Sequence, residues 1–600
     1  MERMFRFARR NRRRESHRTE KRLHKTTAPA QSKPVTATSE PQVRHLARRL
    51  SPLLPNWWGL VGGQIASWIA LGPSFLPRRW WTTAGSVSLS QMYGYAIGSG
   101  ARAVRNTLRR NGHSTPSLRS ATAERITQTA MLSALAAGTG VALVNASERQ
   151  REIARLVQQK PQSNLEQIAG FVIGTTNTAL TVGFVRFMQV SSARAHNLIR
   201  RIAPALAAPL SGFLVVSTLV YGISRYLIRS QVFSRVQAAA ELKNLLPLPG
   251  RTPPTEPERS GSRASLESYG GLGRHGRAIA SDGPRRADIA AFWSEPAMEP
   301  VRAYIGLAAR LSIPAAAKRA VKELDRAGGF DRDHLVIFVG TGTGWLNDWS
   351  MAAIEYLTRG NCAMVSMQYT VLTSALALIA DRRSPQLTAQ SLYREVRAHL
   401  DTLPPERRPK LYMSGESLGA FGGLSTFENA TDMVNSLAGA VWAGTPQFSP
   451  IWQELTEARN PGSPYIRPDI GNGALIRFSN RPGDVTHNAS GEPYAPWSKS
   501  RTIFLQHPSD PVVWWHPSLI WKQPVWFEEP RGHDVNDRMR WWPWVSFWQI
   551  SADMPLSLAT PGGHAHRYFE EYVTAWSQVL GVDAPVAQLE RAIRPFIKPH

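Results

Sequence analysis

One serine stands where its hydroxyl could be activated. Ser417 is the centre of Gly415-Glu416-Ser417-Leu418-Gly419, with the β-rich run KLYMS before it and the helix-like run LGAFGGLSTFENA after it. Between a strand and a helix, G-x-S-x-G forms a nucleophile elbow. Small residues on both sides let the two backbones approach, and the hydroxyl projects above the sheet. A serine alcohol is a poor nucleophile at neutral pH, so it needs a histidine base and an acid that orients it. In elbow enzymes these follow in the order Ser, acid, His. Asp510, four residues beyond the run RTIFLQ, fits the acid. Asp484 in RPGD and Asp534 in RGHD compete, but neither directly follows a convincing strand. The loop Pro561-Gly562-Gly563-His564-Ala565-His566 offers two histidines. His564, directly after the glycines, is the first choice for the base, and His566 is the reserve. A developing oxyanion needs N–H donors. Leu418 N–H is one, next after the nucleophile. The glycine loop after LVIFV, Gly340-Thr341-Gly342-Thr343-Gly344-Trp345, offers Thr341 and Gly342 as the other. That loop lacks the x-x-G ending of a dinucleotide fingerprint and the Lys-Ser/Thr of a P-loop. The bland reading of the pentapeptide is a glycine-bounded turn with an idle serine; the ordered set of three residues weighs against it.

These residues need a scaffold, and the second half of the chain alternates strand and helix patterns. Strands are predicted at 303–308, 335–339, 363–369, 410–415, 439–444, 474–479 and 501–506. Helices are predicted at 314–328, 347–360, 391–403, 418–430 and 567–580. Repeated β-then-α units imply an α/β fold, a mostly parallel sheet covered on both faces, with the site at the strands' carboxyl ends. Eight tryptophans lie within 511–548, between the expected acid and the expected histidine. That segment could form an apolar wall or lid for an acyl chain, dock on a membrane surface, or simply pack.

The first half is different. Of the formal charge of +27, almost all lies in residues 1–300, which hold 42 Lys/Arg against 16 Asp/Glu. Residues 1–49 carry 15 Lys/Arg and four acids, and read as a disordered basic tail. No recognition motif or aromatic interleaving points to nucleic acid. Five stretches lack Asp, Glu, Lys, Arg and His: 50–77, 80–101, 126–147, 167–185 and 202–224. Each is long enough to cross a bilayer as a helix. Residues 50–230 therefore read as an all-α transmembrane domain, placing the protein in the cell membrane as a multi-pass chain. Arginines concentrate at 102–125 and 186–201. The positive-inside bias then puts the tail in the cytoplasm and the second half outside it. Residues 244–290, rich in Pro, Gly, Ser and Arg, read as a linker, with SLESYGGLGRHGR a candidate ordered strap within it, and 291–590 as the catalytic domain. A single cysteine, Cys362, excludes an intramolecular disulfide and any multi-cysteine zinc site. No metal or other cofactor is expected.

With these motifs assembled, the chain resembles the bacterial two-domain alpha/beta-hydrolase family with an N-terminal multi-spanning membrane domain. The resemblance runs from about residue 50 to 580. It rests on GPSFLPRRWW, YGYAIG, SLESYGGLGRHGR, GTGTGW, MQYTVL, RPKLYMSGESLGAFGG, QHPSDPVVWW and PGGHAHRY. It implies a hydrolase fold on a membrane anchor and supplies no substrate. One departure lies in the histidine loop, where Ala565 stands in place of the family's glycine. The expected function is a membrane-bound serine hydrolase acting on a lipid or acyl ester. An acyltransferase using the same triad and a non-catalytic membrane protein are the alternatives.

Overall fold

The computed structural model describes residues 57–598, apart from 112–120, 309, most of 203–233, and 374–380 other than Ala377. The basic tail and most of the fifth expected span fall outside the described residues.

The second half is built on one seven-stranded sheet. Its strands are β1 (Val301–Ile305), β2 (His334–Val339), β3 (Cys362–Met367), β4 (Lys410–Glu416), β5 (Gly439–Ala443), β6 (Ile476–Ser479) and β7 (Arg501–Leu505). They lie in the order β1-β3-β2-β4-β5-β7-β6, and every neighbouring pair is parallel. Almost every strand residue is buried, as a parallel sheet covered on both faces requires. Alternate residues feed two cores. Leu335, Ile337, Met413 and Trp442 pack toward one face, and Val336, Phe338, Tyr412 and Val441 toward the other. β4 is the central strand, so its carboxyl end emerges mid-sheet with neighbours on both sides. The single helix expected over 418–430 divides into Leu418–Leu424 and Ala430–Ser436, because the Asn429 side chain accepts the Asp432 N–H and starts a new helix.

Residues 244–290 are not a tether. The helices Gly273–Ser281 and Arg286–Trp293 fold against the β1 edge of the sheet. Ser260 N–H donates to Arg302 O at 3.0 Å and Arg302 N–H to Glu258 O at 3.1 Å, extending the sheet by a bridge. Arg259, fully buried, donates to the carbonyls of Asp282 and Pro284 at 2.7 Å each and to Glu299 at 3.1 Å. Arg302 forks onto the buried Glu355 at 2.7 and 2.8 Å. A buried guanidinium is tolerated only when its donors are spent in this way. The arginines that suggest a solvated linker are therefore the residues that pin it.

The first half forms helices Trp57–Ala70, Trp80–Asn111, Ala121–Leu156, Asn164–Ile202 and Ser234–Leu245. Among the described residues two are long and apolar enough to cross a membrane, Thr129–Leu156 and Asn164–Arg201. Only 6% and 17% of their most apolar windows are buried, unlike the core helices of a soluble protein. The first expected span, 50–77, contains a helix of only 14 described residues that ends before Gly72-Pro73. It packs closely on Trp80–Asn111: a Cβ on Gly94 would sit 2.1 Å from Gly62 O.

Candidate active site

β4 ends at Glu416, and the next residue, Ser417, has φ 59° and ψ −123° before the helix Leu418–Leu424 begins. An L-residue in that region is strained by about 1–3 kcal/mol. The sequence makes the turn possible with its flanking glycines. A Cβ on Gly415 would lie 2.6 Å from the Gly419 carbonyl carbon, and one on Gly419 would lie 2.2 Å from Val339 O. Ser417 N–H donates to Ala443 O of β5 at 2.9 Å, so both neighbouring strands brace the elbow. Leu418 opens the helix, where backbone N–H groups have no partner within the helix.

Asp510 follows β7 and is fully buried. Its carboxylate accepts from Val512 N–H at 2.8 Å and from Tyr568 OH at 2.7 Å, and it meets His566 Nδ1 at 2.7 Å. The histidine bonded to Asp510 is thus His566, the reserve choice, rather than His564. His564 Nδ1 faces a second acid, Asp534, at 3.2 Å. The cause is Ala565 between them. Its φ of 49° is left-handed, and the two imidazoles turn to different carboxylates. Ser509 Oγ donates to Asp534 at 2.5 Å and accepts Ala565 N–H at 2.9 Å, while His507 Nδ1 contacts Ala565 O at 2.7 Å. His507 Nε2 meets Glu571 at 2.9 Å. Asp484 pairs with Arg467 and accepts Asn480 N–H, a turn-holding role away from the histidines.

The ring of His566 presses on Gly444, where a Cβ would sit 2.4 Å from Cε1. Gly444 directly follows Ala443, the residue that accepts the Ser417 N–H. His566 Nε2 is buried and has no hydrogen-bond partner, so it is open to a proton donor. Burial opposes the imidazolium, but the Asp510 and Glu416 carboxylates overcome it and hold the His566 pKa above its ordinary value. Burial likewise opposes the Asp510 carboxylate, yet His566, Tyr568 and Val512 N–H hold its pKa below the usual range.

Glu416, the unassigned residue within the pentapeptide, is part of this cluster. It accepts from Asn347 Nδ2 at 2.8 Å and Tyr572 OH at 3.0 Å. Burial pushes its pKa up to about 7, with His566, Asn347 and Tyr572 acting against the shift. Neither type nor spacing singles out Asn347, Tyr568, Tyr572, His507 or Ser509 in the sequence. His507, Ser509 and Tyr568 do lie inside the runs QHPSDPVVWW and PGGHAHRY. On the oxyanion side, Thr341 N–H is spent on Trp345 O at 3.1 Å, which removes it as a backbone donor and leaves Gly342 and Leu418 as candidates. Among the described residues no group of His, Cys, Asp and Glu could hold a metal ion.

A parallel α/β sheet with a strained serine between its central strand and a glycine-rich helix defines an α/β-hydrolase. Residues 301–592 match the alpha/beta-hydrolase family, and residues 71–284 match the N-terminus of an alpha/beta-hydrolase family. The chain thus has a two-domain alpha/beta-hydrolase architecture, whose N-terminal part carries the two apolar helices. This supports a general, esterase-like hydrolase activity and membrane association. No curated protein and no solved structure matches the chain.

Proposed function

We propose that the protein is a membrane-bound serine hydrolase that cleaves carboxylic esters of a lipid or acyl compound. Ser417 attacks the carbonyl carbon. His566 Nε2 takes the hydroxyl proton and later returns it to the leaving alcohol. Asp510 fixes the imidazole and stabilises its charge. The N–H groups of Leu418 and Gly342 receive the oxyanion. Water then releases the acyl group by the same proton path in reverse. The observation that carries this reading is the buried Asp510–His566 pair with Nε2 free, packed beside the strand that holds the strained Ser417. The test is labelling of isolated membranes with a fluorophosphonate probe. A labelled band of 66.5 kDa that disappears in Ser417→Ala is expected. Unlabelled, folded wild type would refute it.

We also place the catalytic half outside the cytoplasm. The helix ends at Ala70, Trp80, Leu156 and Asn164 face the hydrolase, as Gln549–Ala70, Phe75–Trp526 and Gln159–Ala559 contacts indicate. The arginines Arg102, Arg105, Arg186, Arg194, Arg200 and Arg201 lie toward the opposite ends. Over the sequence, 102–125 and 186–201 hold ten arginines against six Lys/Arg at 78–79 and 148–166, and on that count the positive-inside bias favours the cytoplasm for the far side.

A further inference from the structure

The chain between the proposed acid and the proposed base does not simply overhang the sheet. It is seated on the N-terminal helices. In the helix Val545–Asp553, Gln549 Nε2 donates to Ala70 O at 3.1 Å and Ile69 O at 3.3 Å. Asp553, fully buried, accepts Phe75 N–H at 2.9 Å and Ser74 OH at 3.2 Å. One residue before that helix, the Trp544 indole donates to Leu89 O at 3.0 Å and stacks on Tyr93 with centroids 5.4 Å apart. Trp544 has φ 65° and ψ −51°, and Val545 N–H closes the turn onto Pro543 O at 2.7 Å. That is the strained form of the three-residue turn. Such strain persists where surrounding contacts over-determine it; here Leu89 and Tyr93 of the membrane half hold the indole, while Ile520 O accepts the Trp544 N–H at 2.8 Å.

The seat is close to the histidine loop along the chain. Asp553 leads into the short turn Met554–Ala559, whose last carbonyl accepts Gln159 Nε2 at 2.7 Å. Thr560 follows, and its hydroxyl donates to His564 O at 3.0 Å, two residues before His566. From Ser74 to His566 the path is the buried bond to Asp553, the six-residue turn Met554–Ala559, and the buried bond from Thr560 to His564.

We infer that the N-terminal helices are part of the catalytic apparatus and that Asp553 is a positioning residue, holding the His566 loop in register with Asp510 through its bonds to Ser74 and Phe75. This rests on the serine-hydrolase reading above. The anchoring half then does more than tether: releasing it loosens the base.

The experiment uses the full-length protein in membranes and two readouts. The first is hydrogen exchange over residues 561–568, which does not depend on catalysis. The second is the rate and pH profile of fluorophosphonate labelling at Ser417. Asp553→Ala is expected to speed exchange in that loop and to slow labelling by about tenfold to about 100-fold, the scale of a small misplacement of a catalytic group. The labelling limb should also move to lower pH as His566 loses alignment with Asp510; Glu416, His507 and Tyr568 are the other titratable groups around the ring. Asp553→Asn keeps its one oxygen as the acceptor for Phe75 N–H and turns an amide donor toward Ser74 Oγ, which can accept it, so it should restore part of the rate that Asp553→Ala loses. Gln549→Ala removes a milder part of the seat and serves if Asp553→Ala does not fold; a smaller change in the same direction is expected. Wild-type exchange over 561–568 in these variants would overturn the inference, as would an unshifted limb. Altered exchange in a protein whose wild type takes no label would refute the hydrolase reading alone.

Discussion

The two histidines of one loop give the sharpest test of the site. His566→Ala removes the one imidazole that, among the described residues, is bonded to Asp510, at the 2.7 Å typical of a charge-assisted pair. Its Nε2 has no hydrogen-bond partner, so no neighbouring group is bonded to it that could take over the proton. Loss of a triad base costs about 10⁴-fold or more in rate, about 5 kcal/mol of transition-state stabilisation. His564→Ala should act on a different quantity. It takes one bond from Asp534, at 3.2 Å, and leaves that carboxylate with Ser509 on one oxygen and no partner on the other. Taking a hydrogen-bond partner from a buried acceptor in this way costs about 1–3 kcal/mol of stability, while the rate per folded molecule should stay within about tenfold, because neither the proton acceptor nor its acid is touched. The assay is ester hydrolysis and probe labelling normalised to folded protein, beside a thermal melt of each variant. If His564→Ala silences the folded protein while His566→Ala retains activity, the pairing deduced from Ala565 is wrong.

Two further expectations follow from neighbouring residues. Gly419→Ala should cost about 3 kcal/mol or more, because its Cβ would lie 2.2 Å from the Val339 carbonyl oxygen, and backbone cannot swing aside. Gly483→Ala, with no atom within 4 Å of its Cβ, is the control, and equal melting of the two would refute the tight elbow. Glu416→Gln removes a carboxylate that helps hold the His566 pKa up. The base must be neutral to act, so labelling rises with pH through that value, and the variant's limb should move to lower pH; an unmoved limb would refute the coupling.

What the sequence discloses depends on how local the cause is. The seven strands are legible because a sheet buried on both faces is written as short continuous apolar runs such as LVIFV and GAVWA. The elbow is legible because its steric demand falls on Gly415 and Gly419, within two residues of Ser417. The choice between His564 and His566 is not, since it depends on a left-handed Ala565 held from outside by Ser509 and His507. Nor is the folding of residues 244–290: Arg259 and Arg302 look solvated until carbonyls and carboxylates distant in sequence saturate them. The seat of Trp544 and Asp553 on the first helices is hidden for the same reason, being a contact between halves that differ in composition and charge.

The elbow and the histidine loop are therefore held by different forces. Ser417 is fixed by backbone: two glycines without which strand and helix would collide, and one hydrogen bond to β5. Its geometry is built into the sheet and needs no charge. The histidine loop lies past the tryptophan-rich segment, far from the last strand in sequence, and no strand residue dictates its course. Its fixation is polar. Ser509 and His507 grip the N–H and carbonyl of Ala565, Asp534 and Glu571 orient those grips, and Thr560 ties the loop back toward Asp553. Buried polar groups stabilise only when satisfied, and become a penalty when one partner leaves. A loop built this way is rigid while every member is in place and vulnerable through each of them. The base, rather than the nucleophile, is thus the part of the machinery on which the membrane half can act.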